Sequence, residues 1–334
     1  CVKDDEGVPM QCWKLDSTII TPRSMFDNAM ASQLAVGIDL GTTNSAVARI
    51  DDTGRTAMVR NSEGDLLTPS VVLFEDDEVV VGKTAQSATV AHPDQVAQLV
   101  KRDMGLAAYS QPIRGEYLPP EVIQACILRK LNADVTETLG CGAAVVITVP
   151  AYFDERRRKA TADAGDMAGI DVLDIVNEPT AAALSFGETA GYLTNGREIL
   201  EAMTVLVYDL GGGTFDVTLL KLAPGDVRTM ATDGDVQLGG HDWDSRLVDY
   251  VADLFKQAHG LDPRDDPGTL NRLYSLVVEA KHTLSARTHT SIRVEHGFGQ
   301  ETLDLDVTRE KFEDLTADLL ERTSHTSRSL LKDA

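Results

Sequence analysis

Two short stretches of this chain place an aspartate directly before a tight turn of small residues. The first is Ile38-Asp39-Leu40-Gly41-Thr42-Thr43-Asn44-Ser45; the second is Val207-Tyr208-Asp209-Leu210-Gly211-Gly212-Gly213-Thr214-Phe215-Asp216. Glycine lets backbone N–H groups approach an anion with no side chain in the way, and threonine hydroxyls add donors. A carboxylate beside such a turn repels phosphate unless a divalent cation sits between them. Mg2+ suits that place, because it takes one or two carboxylates and fills its shell with water and phosphate oxygens. The pair therefore reads as a clamp. Asp39 and Asp209 face the metal; Gly41, Thr42, Thr43, Gly211, Gly212, Gly213 and Thr214 face phosphate. Either stretch alone reads equally well as a plain hairpin turn. Two at matched positions favour phosphate.

Other chemistries find no support. The Gly-x-x-x-x-Gly-Lys-Ser/Thr pattern of P-loop proteins is missing, no serine sits in a nucleophile elbow, and the histidines form no triad. Cys1, Cys12, Cys126 and Cys141 make no CxxC pair, so zinc is not expected. Cys126, inside an apolar run, reads as a buried structural thiol. A net charge of −22 on 334 residues opposes nucleic-acid binding, which needs a basic face. With 43% apolar and 25% charged residues the composition is that of a soluble globular protein. No run approaches the roughly 18 apolar residues of a membrane span, and the first thirty residues do not read as a secretory signal. A cytoplasmic location is expected.

The turns need strands to hold them. Residues 34–39 read as a buried strand and 45–50 as a second, with shorter strands at 56–60, 70–74 and 79–81. The apolar run 143–149 reads as a strand covered on both faces. Helices are expected at 120–139, with Val122, Ile123, Cys126, Ile127 and Leu131 on one face, at 154–168, and from Pro179 on; a strand at 172–176 lies between the last two. In the second half, strands at 204–208 and 215–221 flank the second turn. Helices follow near 241–258, 269–286 and from Arg309, with strands near 290–294 and 302–307. A strand ending in Asp-Leu-Gly occurs once per half, so two related lobes facing across a cleft are expected. Residues 1–33 read as an irregular extension, with Met30 a candidate start. The last helix runs to Ala334 without a stop signal, as in a piece of a longer product.

These motifs resemble the ATP-binding domain of the DnaK-type heat-shock chaperone family. Besides the two turns, the matching residues are Ile147-Thr148-Val149-Pro150-Ala151-Tyr152-Phe153, Asn177-Glu178-Pro179-Thr180-Ala181-Ala182-Ala183, Leu238-Gly239-Gly240 with Asp242 and Asp244, and Val307-Thr308-Arg309-Glu310-Lys311-Phe312. The resemblance implies an α/β, actin-like ATPase fold: two RNase-H-like lobes around a nucleotide cleft. Residues 34–203 would form the first lobe and 204–334 the second, incomplete before a last glycine motif. It implies ATP or ADP with Mg2+, hydrolysed slowly, and coupled in the full-length protein to peptide binding and release. A J-domain co-chaperone and a nucleotide-exchange factor are the implied partners, with unfolded peptide held by a C-terminal domain outside this chain. The alternative is a DnaK-like regulatory ATPase or an actin-like filament protein without chaperone activity; a sugar kinase shares the same lobes.

Carried over by position, the resemblance implies Lys101, Glu178, Asp209, Thr214 and Asp216 as catalytic groups. Lys101 would be the cation beside the γ-phosphate, with Glu178 and Asp216 near the attacking water. Asn44, Gly239 and Gly240 join the turn residues around the phosphates, Lys281 and Ser285 contact base and ribose, and Asp39 and Asp209 hold Mg2+. The family usually has a glutamate three residues before the lysine, where this chain has Val278, so either the ribose contact is lost or Glu279 compensates imperfectly. Arg158 and Pro150 match residues that couple the domain to its interdomain linker. Read without the resemblance, Lys101-Arg102 is a solvated helix end. Glu178 is then a helix N-terminal carboxylate before Pro179, and Arg156-Arg157-Arg158 an exposed charged face.

Overall fold

A computed structural model describes residues 34–192, 201–224, 226–296 and 301–334. The expected extension at 1–33 lies outside the described residues. Strands β1 (Ala35–Asp39), β2 (Asn44–Ile50) and β3 (Thr56–Val59) form an antiparallel meander, and the short β4 (Leu67–Pro69) pairs with β2. A small satellite sheet follows, of β5 (Val72–Phe74) between β6 (Val79–Val81) and β7 (Val96–Ala97), with helix α1 (Lys83–Ala88) packed on it. The strand expected at 70–74 is thus realised only as β5, in the satellite sheet, while β4 before it, in the first sheet, was not expected. Pro69 lacks the N–H to continue one ladder, and the chain turns there.

Helix α2 (Pro120–Leu139) starts at a proline, which supplies helical φ, and stops at Gly140 in the left-handed region. It leads to β8 (Ala144–Val149), α3 (Glu155–Ala168), β9 (Val172–Asn177) and α4 (Glu178–Thr189). Strand β8 lies between β1 and β9, parallel to both, giving the order β3-β2-β1-β8-β9. That central place explains its apolar composition, since Val145, Ile147 and Val149 are buried on one face and Ala144 and Thr148 on the other. On α2 the buried stripe runs through Ile123, Ile127, Leu128 and Leu131. Val122, expected in that stripe, is exposed, and Cys126 is half-buried at its margin.

The second half repeats the meander: β10 (Met203–Leu210), β11 (Phe215–Ala223) and β12 (Asp226–Asp235) pair antiparallel in that order. Alternation along the strands feeds two cores. Val207, Leu220 and Leu222 pack with Ala183 of α4 on one face. Phe215 and Val217 pack with Leu238 and, on the other face, with Leu319 and Leu330 of α7 (Arg309–Asp333). Helix α4 also follows directly on β9, so it bridges the two sheets. A separate core joins α5 (Gly240–His259), α6 (Pro267–Ala286) and the hairpin β13 (His289–His296) and β14 (Glu301–Thr308). Among the described residues no helix is long and apolar enough to cross a membrane.

Candidate functional site

The β1–β2 turn and the β10–β11 turn meet. A Cβ added at Gly212 or Gly213 would overlap the side chains of Thr43 and Thr42, respectively, so only glycine lets the second turn lie against the first. At Gly41 the same atom would strike the carbonyl of Asn44. Ser70 holds the first turn: its N–H donates to Thr43 O (2.8 Å) and its hydroxyl to Gly41 O (2.8 Å). The start of α5 holds the second, through Gly240 N–H to Gly211 O and His241 N–H to Gly212 O, both 2.9 Å. Gly239 is in such close contact with the Gly213 backbone that a Cβ would sit 2.5 Å from Gly213 N. Two turns and a helix N-terminus therefore converge, a concentration of backbone donors suited to an anion.

Buried ionisable groups surround them. Lys101 and Glu178 form an ion pair with side chains 4% and 6% exposed. This corrects the reading of Lys101 as a solvated helix end: it lies in a 3-10 turn (Val100–Asp103) folded inward, and its partner stands at the first position of α4. Asp216, at the start of β11, accepts the Tyr152 N–H (3.0 Å). Burial, then the neighbouring Glu178 carboxylate, push its pKa up to about 7, with Asp209 acting in the same direction and Lys101 against it. Asp209 is itself buried. Asp39 ends β1 and accepts the Thr148 hydroxyl (3.0 Å) from β8.

At the other end, the Lys281 ammonium pairs with Asp244 (2.9 Å) and lies beside Gly240, where a Cβ would be 3.5 Å away. Ser285, a turn further along α6, is exposed and donates to Lys281 O (3.2 Å); Asn44 is also exposed. His241 stacks on Tyr274, and burial together with the Arg102 guanidinium hold it below the usual imidazole range. The arginine run is not a uniform exposed face. Arg157 lies over the Phe153 ring, while Arg158 donates to Asn177 Oδ1 and Ile175 O (both 2.7 Å), fastening the β9–α4 corner that carries Glu178.

Three contributors were given no part in the site by the sequence reading: the Tyr152 N–H, the Thr148 hydroxyl and Arg102. The Arg102 guanidinium donates to Gly213 O (2.8 Å) and to the Asp242 carboxylate. Its partners are far along the chain, so no local pattern marks it.

Paired Asp-Leu-Gly turns on two antiparallel meanders, with a buried lysine and carboxylates behind them, define a two-lobed α/β protein. The family described as Hsp70 protein matches residues 35–116 and 106–334. The chain is 45% identical over 310 residues to the chaperone protein DnaK of two Halobacterium salinarum strains, which covers 91% of this chain and 48% of each relative. The chain belongs to the Hsp70 family, and its fold is the actin-like ATPase fold. It spans about half the length of the curated relatives it matches.

Proposed function

We propose that this chain holds Mg2+-ATP between its two glycine turns and hydrolyses it slowly. In a longer protein the hydrolysis would drive peptide binding and release in the cytoplasm, with a J-domain protein and a nucleotide-exchange factor as partners. The observation that carries this reading is the convergence of the turns over the buried Lys101, Glu178 and Asp216. The residues fit the nucleotide. The glycines of the second turn carry no side chain, so their amides can approach phosphate once Thr42 and Thr43 draw away, and Asp39 and Asp209 each lie near the end of a strand beside a turn. Among the described residues no group of three His, Cys, Asp or Glu side chains is assembled for a metal. Two carboxylates, Asp39 and Asp209, would supply the protein's part of a shell completed by phosphate and water. When bound, Mg2+ neutralises phosphate charge.

The protein's own groups have separable tasks. The turns touch, so phosphates enter as the lobes part and are enclosed as they close. Lys101, held by Glu178, sets a cation where charge shifts in a loose transition state. Burial, then the Glu178 carboxylate, push the Asp216 pKa up to about 7, which suits it to accept a proton from water. Lys281, at the far side of Gly240, serves the nucleoside end, with Val278 in place of an acidic ribose contact.

Titration calorimetry with Mg2+-ATP and single-turnover phosphate release test this. Lys101→Met should retain nucleotide binding and lose about 10²–10³-fold in hydrolysis. Undetectable ATP binding, or a wild-type rate in the variant, would overturn the reading.

A further inference from the structure

The Arg102 guanidinium joins the turn bearing Lys101 to the opposite glycine turn. From one side chain, 11% exposed, it donates to Gly213 O and forks onto the Asp242 carboxylate. Asp242 in turn accepts the Gly239 N–H (2.7 Å), closing the first turn of α5. The Gln237 amide reaches back to Arg102 O (3.4 Å). Gly239 presses on Gly213, and Gly213 on Thr42. A single arginine thus ties four parts together: the Lys101 turn, the Gly211–Thr214 turn, the α5 N-terminus and, through Gly213, the first turn.

We infer that Arg102 is a positioning residue, a latch across the cleft that sets Lys101 against the phosphate turns and must open for nucleotide to leave. A forked, charge-assisted contact suits the task, because it exists in one relative orientation of the two elements and is lost when they separate. Lysine at this position keeps the charge but cannot reach the carbonyl and the carboxylate together. Asp242 holds both the latch and the helix cap, so α5 begins in the same place whether the latch is open or shut. The inference rests on the nucleotide reading for its consequence, while the latch itself can be tested without nucleotide.

The experiment compares wild type with Arg102→Lys and Arg102→Gln, each checked first by thermal melting. Release of a fluorescent ADP analogue is followed by stopped flow, and hydrolysis by single turnover. The latch predicts ADP release faster by about tenfold or more in Arg102→Gln, the fold-change of a lost charged hydrogen bond. Arg102→Lys should fall between that and wild type. Asp242→Asn keeps an acceptor for Gly239 and should add little to Arg102→Gln in the double variant, since one contact is lost once. Release at the wild-type rate in Arg102→Gln, or fully additive effects, would overturn the latch. If the wild type binds no ADP, the nucleotide reading fails on its own. Hydrogen exchange of the nucleotide-free chain then decides the latch: joint loss of protection at 100–103 and 211–214 in Arg102→Gln supports it, and unchanged protection overturns it.

Discussion

In the proposed function Asp216 is the carboxyl that takes the proton from water. Its burial and the Glu178 carboxylate raise its pKa to about 7, so the folded chain binds that proton more tightly than the unfolded one. Its contribution to stability therefore falls as pH rises from about 4, where an unfolded aspartate titrates, to about 7. Asp216→Asn should raise the melting temperature more at pH 8 than at pH 5. Wild-type hydrolysis should increase as pH passes through 7 and the carboxyl becomes a base. The variant should lose that increase and about 10²-fold in rate. A pH–rate curve of the same shape in the variant would remove Asp216 from proton transfer. Gly239 makes a steric counterpart. A Cβ there meets the Gly213 backbone, which cannot rotate away, so Gly239→Ala should cost about 1–3 kcal/mol by denaturant titration and weaken nucleotide binding as well.

Among the elements, the β9–α4 corner matters most for positioning. Glu178 begins α4, with Asn177 as its N-cap, and Arg158 of α3 holds Asn177 Oδ1 and Ile175 O. Removing the guanidinium leaves the corner without two charge-assisted contacts. Arg158→Ala should destabilise by about 1–3 kcal/mol and slow hydrolysis while leaving nucleotide affinity close to wild type. Calorimetry and single-turnover rates on the same preparation separate these effects; a loss of affinity equal to the loss of rate would mean that the whole cleft has shifted. The same helix packs on β10 and β11 through Ala183, so a movement of this corner is carried into the second meander.

For the whole molecule the net charge of −22 is the dominant long-range term. Like charges at this density oppose the compact state. Raising salt from 0.1 M to 1 M shortens the screening length from about 10 Å to about 3 Å. The exposed ion pairs, such as Lys159–Asp163 (2.6 Å) and Arg264–Asp249 (3.0 Å), lose little by this because each is worth little. The melting temperature should therefore rise by a few degrees across that range in KCl. A fall would show that local pairs outweigh the net repulsion.

The amino-acid sequence by itself determined what depends on neighbours along the chain. The strand–turn–strand units, the apolar β8 and the glycine- and proline-bounded helices were legible because period and turn chemistry are local. So was the place of Asp39 and Asp209 beside their turns, on which the proposed phosphate reading rests. Strand β12 was not legible. Val227, Arg228, Thr229 and Met230 are exposed and show no apolar alternation, and the segment is a strand because β11 offers it a ladder. Lys101 and Arg102 show the same limit at the site. A Lys-Arg pair looks solvated until tertiary folding supplies Glu178 to one, and Gly213 with Asp242 to the other. Only the tertiary structure decided these, because a charge is buried only where its partner arrives, and here the partners arrive from distant parts of the chain.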